Sequence, residues 1–296
     1  MLKKEVKKLY QSYLKFSEYR NKSILNGNEG NLLLKNLLGK EEALMVTRIG
    51  STELEILSAY QYNEKKYNDY LKNKINVLSG VFPPTDNTLN EFSEIFLNAL
   101  SNADIIGVWF NKNEGKIIED YCRSVNLVEL RSLEPYYWDS PWSQMLYNKT
   151  VLVIHPFIDS IEKQLKNRDN LFENKEVLPN FELKTLRAVQ SAGGSNSKFS
   201  SWIEALNYMY EEIDKIDFDV AIIGAGAYGL PLAGYIKEKG KKAIHMGGSS
   251  QILFGIKGVR WDNHPFISTL YNEYWARPMS QEHPTDFKSI EKGCYW

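Results

Sequence analysis

A glycine-rich turn near the end of the chain has residue types and a spacing that suit phosphate binding. Gly224, Gly226 and Gly229 follow the pattern G-x-G-x-x-G, with Tyr228 inside it, between an apolar run and a helical pattern. Gly224 permits a tight turn, and Gly226 lets the backbone approach a phosphate group. The helix after the turn adds free N–H groups and a partial positive charge. The turn predicts a diphosphate site; the alternative is that its glycines only let helix and sheet pack closely.

The same pattern occurs in enzymes that bind NAD or FAD, which carry an Asp or Glu at the end of the next strand to hold the ribose. Here the next strand ends in the letters AIHMGG at 243–248, without a carboxylate. The chain also has neither a Walker A sequence nor a G-x-S-x-G elbow. These observations disfavour a dinucleotide enzyme, a P-loop phosphotransferase and an α/β-hydrolase.

Other candidate site residues stand where apolar runs end. Arg48 lies near the end of the run 43–50, and His155 near the end of the run 149–157. Because ligands bind at the carboxyl ends of parallel strands, we expect Arg48 to stabilise a diphosphate and His155 to lie in the active site. The alternative for His155 is a hydrogen bond to a neighbouring loop.

A second pair of cations occurs in the segment FGIKGVRWD (254–262). Lys257 and Arg260 are separated by Gly258, which favours a turn. We predict that both contact the diphosphate; each alone is also compatible with a solvated or ion-paired surface position.

Short apolar runs alternate with helical patterns along most of the chain. The predicted strands lie at 43–50, 103–110, 126–133, 149–157 and 182–191, and the segment 217–248 reads as strand, turn, helix and strand. This alternation predicts an α/β fold: a Rossmann-like, doubly wound, mostly parallel sheet with helices on both faces. Helix 51–61 is predicted to begin with Ser51 or Thr52 as its N-cap.

We divide the chain into an N-terminal helical appendage (1–40) and a single Rossmann-like domain (41–296). In the appendage, 20–31 is predicted to be a polar loop. Residues 2–16 form an amphipathic helix whose apolar face is predicted to comprise Leu2, Val6, Leu9, Tyr10, Tyr13 and Phe16. The helix either packs this face on the core or lies, with its lysines, on an anionic membrane surface.

Composition limits the function classes. Lys and Arg total 36 against 37 Asp and Glu, and this balance argues against a nucleic-acid partner. Two cysteines are too few for a disulfide framework, and no apolar run reaches the length of a signal peptide or a membrane span. We therefore expect a cytoplasmic protein, with the membrane periphery as an alternative. No organic cofactor is expected.

Two segments carry a family resemblance. The letters TRIGSTEL at 47–54 resemble the R-x-G-D-G-E element of GT-D fold glycosyltransferases, a bacterial family. The segment 222–247, with IIGAG and KGKKAIHMG, is similar to that family's strand–turn–helix–strand, which ends in an A-I-D-I-G-like sequence. The two segments cover about a fifth of the chain, but their order and separation match the family.

The resemblance implies roles for specific residues. Gly50, Ser51, His245 and Gly247 occupy donor-binding positions of the two family elements. The family's D-x-E element is thought to hold a divalent metal on the donor diphosphate. Glu53 matches its second carboxylate and is implied to be a catalytic base or a metal ligand.

This sequence departs from the family's pattern at two acidic positions. Ser51 stands where the first aspartate would be, and His245 likewise replaces an aspartate. Either other residues hold Mn²⁺ or Mg²⁺, or the protein works without a metal.

The predicted function is a Leloir-type glycosyltransferase, hexosyltransferase-like, acting in bacterial surface polysaccharide or glycoprotein synthesis. It would use a nucleotide-sugar donor and a glycan, lipid-linked or protein-linked acceptor. The alternatives are an NAD- or FAD-dependent oxidoreductase or epimerase, and a non-catalytic nucleotide-sugar-binding partner.

Overall fold

The computed structural model of the chain describes residues 2–194 and 198–296, with backbone only for residues 2–8. Its described strands are β1 (Ile24–Leu25), β2 (Leu44–Thr47), β3 (Ile105–Val108), β4 (Asn126–Glu129), β5 (Thr150–His155), β6 (Glu182–Arg187), β7 (Val220–Ile223) and β8 (Lys242–His245). Its described α-helices are α1 (Leu2–Tyr19), α2 (Gly27–Leu38), α3 (Ser51–Tyr62), α4 (Asp69–Ser79), α5 (Asp86–Leu100), α6 (Glu114–Tyr121), α7 (Ile158–Leu165), α8 (Arg168–Leu171), α9 (Trp202–Ile213), α10 (Gly229–Glu238) and α11 (Ser250–Leu253).

The strands form one open sheet in the order β1-β4-β3-β2-β8-β7-β5-β6. Every pairing in the described sheet is parallel. The predicted α/β class with a parallel sheet is confirmed. Since parallel neighbours need crossover connections, helices separate most of the strands along the chain.

Apolar side chains from the sheet fill two cores, one on each face. In β5, Leu152 and Ile154 belong to one core, and Val151 and Val153 to the other. All four are fully buried, which explains why this strand reads as a continuous apolar run rather than an alternating one.

The N-terminal region differs from its prediction. The predicted polar loop 20–31 contains β1, which pairs with β4, and the start of α2. Asn26 caps α2 by accepting hydrogen bonds from the backbone N–H groups of Asn28 and Glu29. The asparagines and glycines of this segment suggest a loop, but Asn26 is a helix cap. Its side-chain oxygen accepts from N–H groups that have no acceptor within the helix. The boundary at residue 40 stays a prediction.

Two further helical features were not predicted from the sequence. Helix α4 lies between the predicted helix 51–61 and α5. The N-cap of α3 is Gly50, not Ser51 or Thr52, and no side chain caps this helix. A glycine is tolerated as an N-cap because the position needs an extended backbone more than it needs a side chain.

Helix α1 does not pack the face that its pattern predicted. Leu9, Tyr13 and Phe16 are exposed, whereas Leu14 and Tyr19 are buried. The predicted residues Leu2 and Val6 have side chains outside the described part. The reason is that α1 contacts the protein mainly through its C-terminal end: Tyr19 packs edge-on to Phe110, with 5.3 Å between ring centroids. Among the described helices, none is both long and apolar enough to cross a lipid bilayer.

A buried asparagine fixes α2 to the loop before β5. Asn31 Nδ2 donates to Ser140 O (2.9 Å), and Asn31 Oδ1 accepts from Trp142 N (2.8 Å). The Asn31 amide therefore forms hydrogen bonds with two backbone groups of a segment that is not paired in a sheet.

We expect Asn31→Ala to lower the free energy of unfolding by about 1–3 kcal/mol, because it leaves buried backbone groups unpaired. The measurement is urea unfolding. Asn28→Ala is the control, since Asn28 is exposed on the same helix. Equal stability of the two variants would contradict the assigned role of Asn31.

Candidate active site

A cleft of about 410 Å³ lies at the carboxyl edge of the sheet, next to the ends of β2, β5, β7 and β8. Parallel strands end on the same side, so the loops behind these strands meet there. All but two of the predicted site residues line the cleft. The predicted residues that line the cleft are Arg48, Gly50, Ser51, Glu53, His155, Gly224, Gly226, Tyr228, Gly247 and Arg260.

Arg48 follows β2 and brings a positive charge to the cleft. Its guanidinium lies over the Trp109 ring, with 4.7 Å between Cζ and the ring centroid. Its Nε is buried without a hydrogen-bond partner among the described residues, and no described carboxylate forms an ion pair with Arg48. A cation left with an unused donor is suited to bind an anion.

One carboxylate near Arg48 stays outside the cleft lining. Burial raises the pKa of Glu134 to about 7, against the opposing charges of Arg131 and Arg48. Glu134 is therefore only partly ionised near neutral pH and does not neutralise Arg48 fully.

The Glu53 carboxylate folds back over Gly50 from the first turn of α3. A Cβ at position 50 would overlap Glu53 Oε2, so this orientation requires glycine there. Glu53 is buried except for 8% of its surface, and its carboxylate forms no hydrogen bond with any described residue. It is thus free to accept a proton or a hydrogen bond from a ligand in the cleft.

His155, at the end of β5, is held as a neutral hydrogen-bond donor. The backbone N–H of Phe157 donates to His155 Nδ1 (2.9 Å), so the ring proton belongs on Nε2. Burial lowers the pKa of His155 to about 3. The geometry therefore favours an Nε2–H that donates to a ligand over a general base.

The glycines of the turn serve two different purposes. At Gly224 a Cβ would overlap Ser250 Oγ and the His155 ring, so glycine allows close packing. At Gly226 the backbone φ is +54°, and a Cβ would meet only Ser79 O at 4.0 Å. Gly226 therefore supplies the left-handed turn and leaves open space before it. The N–H groups of Tyr228 and Gly229 already donate to Ala225 O and Gly226 O. Those of Gly226 and Ala227 have no hydrogen-bond partner among the described residues and can bind an anion.

Tyr228 is a structural part of the cleft wall. Ser191 Oγ donates to Gly80 O (2.7 Å) and lies 2.9 Å from Tyr228 Oη, so Tyr228 is the donor to Ser191. Its ring stacks on Trp202 at 5.1 Å. Burial raises the pKa of Tyr228, so its hydroxyl remains protonated and occupied.

His245 does not line the cleft, contrary to its predicted position. Its Nδ1 lies 3.0 Å from Thr47 Oγ1, and its ring packs so closely on α10 that a Cβ at Gly229 would overlap it. Burial, together with the charge of Arg48, lowers the pKa of His245 well below its usual value. His245 is a neutral packing residue between β8 and α10.

Only one member of the second predicted pair of cations, Arg260, lines the cleft. Lys257 lies outside the cleft lining, with its Nζ 5.2 Å from the centroid of the Tyr271 ring. Arg260 lines the cleft but is ion-paired to Glu291. Its charge is therefore already neutralised, which leaves Arg48 as the better candidate for binding an anion.

Arg48, Glu53 and the glycine turn all lie within residues 31–253, which match the family model of the GT-D fold-like domain. The chain belongs to the GT-D-like family. The resemblance inferred from the sequence is confirmed.

Two solved structures superpose on most of the chain. A selenomethionine-substituted structure of domain of unknown function 1792 superposes with a TM-score of 0.51 at 12% identity, covering 92% of this chain and 96% of that chain. A second structure, described as domain of unknown function 1792 with a distinct glycosyltransferase fold, gives 0.49 at 12% identity over 93% and 95%. The first likeness shows a shared fold. No curated protein matches the chain.

Part of the cleft wall was not found from the sequence. Trp109 follows β3, and the same strand-end argument that selected Arg48 applies to it. The C-terminal segment 290–296 contributes Glu291, Tyr295 and Trp296. This segment lies outside the residues matched by the GT-D-like model, and its sequence contains no motif that indicates a site.

The donor set does not fit a divalent metal. Mg²⁺ and Mn²⁺ are held by several hard oxygen ligands. The cleft offers the carboxylates of Glu53 and Glu291, and the second is bound to Arg260. Ser51 supplies only a hydroxyl, and the described residues contain no group of three or more His, Cys, Asp or Glu side chains placed to hold a metal.

The buried histidines predict a stability that falls in acid. The pKa of His155 is lower in the folded protein than the usual 6.5, so the folded state binds fewer protons. The resulting stability is complete above pH 6.5 and decreases as the pH falls toward 3. One pH unit corresponds to about 1.4 kcal/mol.

We expect the free energy of unfolding of the wild type to fall by about 2 kcal/mol more than that of His155→Gln between about pH 6.5 and 5. Gln is chosen because its amide can still accept from Phe157 N. Urea unfolding at several pH values measures the difference. Identical pH dependence in the two proteins would show that His155 is not held neutral.

Proposed function

We propose that this chain is a glycosyltransferase that moves a sugar from a nucleotide-sugar donor to a glycan, lipid-linked or protein-linked acceptor. The observation that carries the proposal is Arg48: a cation in the cleft of a GT-D-like protein with an unused N–H donor. A donor diphosphate supplies the negative charge that this position lacks. We assign the reaction to the cytoplasm and to bacterial surface polysaccharide or glycoprotein synthesis, as the resemblance implies.

The transfer breaks the bond between the sugar C1 and the diphosphate oxygen and forms a bond from C1 to the acceptor oxygen. Negative charge develops on the leaving diphosphate. Arg48 and the N–H groups of Gly226 and Ala227 are our candidates to stabilise it. The Nε2–H of His155 can donate a further hydrogen bond to the donor.

The acceptor hydroxyl must lose a proton during the transfer. Glu53 is our candidate for the base in an inverting reaction, because its carboxylate faces the cleft without a hydrogen-bond partner among the described residues. The proton passes from the acceptor oxygen to Glu53 as the new C1–O bond forms. Since the cleft residues do not fit a divalent metal, we propose that this transfer proceeds without one.

We expect Arg48→Ala to weaken nucleoside diphosphate binding about ten- to a hundredfold, since a hydrogen bond to a charged group contributes about 1.5–3 kcal/mol. Thermal shift with UDP, GDP and their sugar conjugates measures this effect, because a ligand that binds the folded state raises its melting temperature. Arg123→Ala is the control, as Arg123 is an exposed arginine outside the cleft. Stabilisation by NAD or FAD alone would overturn the proposal.

The role of Glu53 can be tested separately from donor binding. We expect Glu53→Gln to retain donor binding and to lower the transfer rate by about a hundredfold or more, because the amide cannot accept the proton. The measurement is sugar release from the donor, with and without EDTA. If Glu53 held a metal instead, donor binding itself would require Mn²⁺ and would be lost in the variant. Donor binding without turnover in the wild type would favour a non-catalytic binding protein.

A further inference from the structure

Helix α1 exposes a continuous apolar surface. Leu9, Tyr10, Tyr13 and Phe16 are 71%, 48%, 62% and 65% exposed, and we call them the α1 stripe. Their spacing places them along one side of the helix. Apolar side chains exposed in a row, rather than singly, indicate a surface that is covered by a partner.

The α1 stripe is exposed although the helix itself is attached to the rest of the protein. The helix is already anchored on its other side, where Tyr19 Oη donates to Glu114 (2.9 Å) and Glu18 accepts from the N–H groups of Asn113 and Gly115. These contacts hold the C-terminal end of α1 on the start of α6 and the residue before it. The α1 stripe therefore faces away from the protein while the helix remains attached.

The sequence of α1 and the residues just after it is strongly basic. Residues 1–22 contain the acidic residues Glu5 and Glu18 against a larger set of basic ones, while the whole chain has a net charge of −1. The basic residues are Lys3, Lys4, Lys7, Lys8, Lys15, Arg20 and Lys22. An apolar stripe on a basic helix complements a surface that is both negatively charged and apolar beneath.

The size of the stripe disfavours a protein partner. Side chains of this kind at these exposures offer about 100–150 Å² each, or roughly 500 Å² in total. A stable protein interface takes about 800 Å² from each partner. A bilayer has no such minimum, because a helix lying in the headgroup region inserts its apolar side chains individually.

We propose that the α1 stripe and the basic residues of α1 dock the protein on the surface of an anionic lipid bilayer. The C-terminal end of α1 lies near the cleft, since Trp109 lines the cleft and the next residue, Phe110, contacts Tyr19 of α1. The proposal does not depend on the transferase activity. It is compatible with the lack of a bilayer-spanning helix among the described residues, because a docked helix lies along the surface.

The test is co-sedimentation of the full chain with vesicles of phosphatidylcholine alone and of phosphatidylcholine mixed equally with phosphatidylglycerol. We expect binding only to the anionic vesicles, weakened by salt and reduced about tenfold or more in Tyr13→Ser and Phe16→Ser. Tyr70→Ser is the matched control, because Tyr70 is 68% exposed on α4. Circular dichroism melting checks that each variant is folded.

Two outcomes would overturn the proposal. One is equal binding to both vesicles, or binding that Tyr13→Ser and Tyr70→Ser affect equally. The other is a wild-type dimer in analytical ultracentrifugation that Phe16→Ser dissociates, without vesicle binding, since a second copy would then cover the stripe. Nucleoside diphosphate binding by the same variants reports separately on the cleft.

Discussion

All eight described strands run in the same direction, and the cleft depends on this constraint. A parallel sheet must be covered on both faces, so the chain returns through a crossover after most strands, and each following loop emerges at the same edge. Arg48, His155, Gly224 and Gly247 lie at or just after the ends of four different strands and meet for this reason. The two cores, one on each face, hold the strands in the register that brings these loops together.

Burial then decides which polar groups at this edge carry charge. His155 and His245 are neutral because burial removes the water that would stabilise a charged ring, which lowers the pKa of both. Neither ring has a carboxylate partner among the described residues. The guanidinium of Arg48 lies on the face of Trp109. The cleft therefore combines a neutral His155 with a cation that has no ion-pair partner among the described residues and with the carboxylate of Glu53.

Much of this arrangement was predictable from the sequence, because it depends on apolar runs and on the residues directly after them. Strand-end reasoning selected Arg48 and His155, and the glycine pattern located the turn before α10. The family resemblance implied a donor-binding role for His245, but the last side chain of a strand points to one face of the sheet or the other, and the sequence does not say which; the His245 ring packs on α10. For α1, the sequence left open whether its apolar face packs on the core or lies on a membrane, and the structure leaves that face exposed. Amphipathic periodicity identifies an apolar side, but tertiary contacts at Glu18 and Tyr19 determine the side that docks.

The C-terminal segment 290–296 forms a part of the cleft wall that does not come from the sheet. Ile290 and Trp296 are buried in the second core and also line the cleft, as Glu291 and Tyr295 between them do. The residues that anchor this segment are thus part of the cleft wall, and none of them belongs to the sheet. Because 290–296 follow β8, the last strand, this wall of the cleft is held by core packing and not by strand pairing. Its shape is therefore the part of the cleft that is least tied to the sheet.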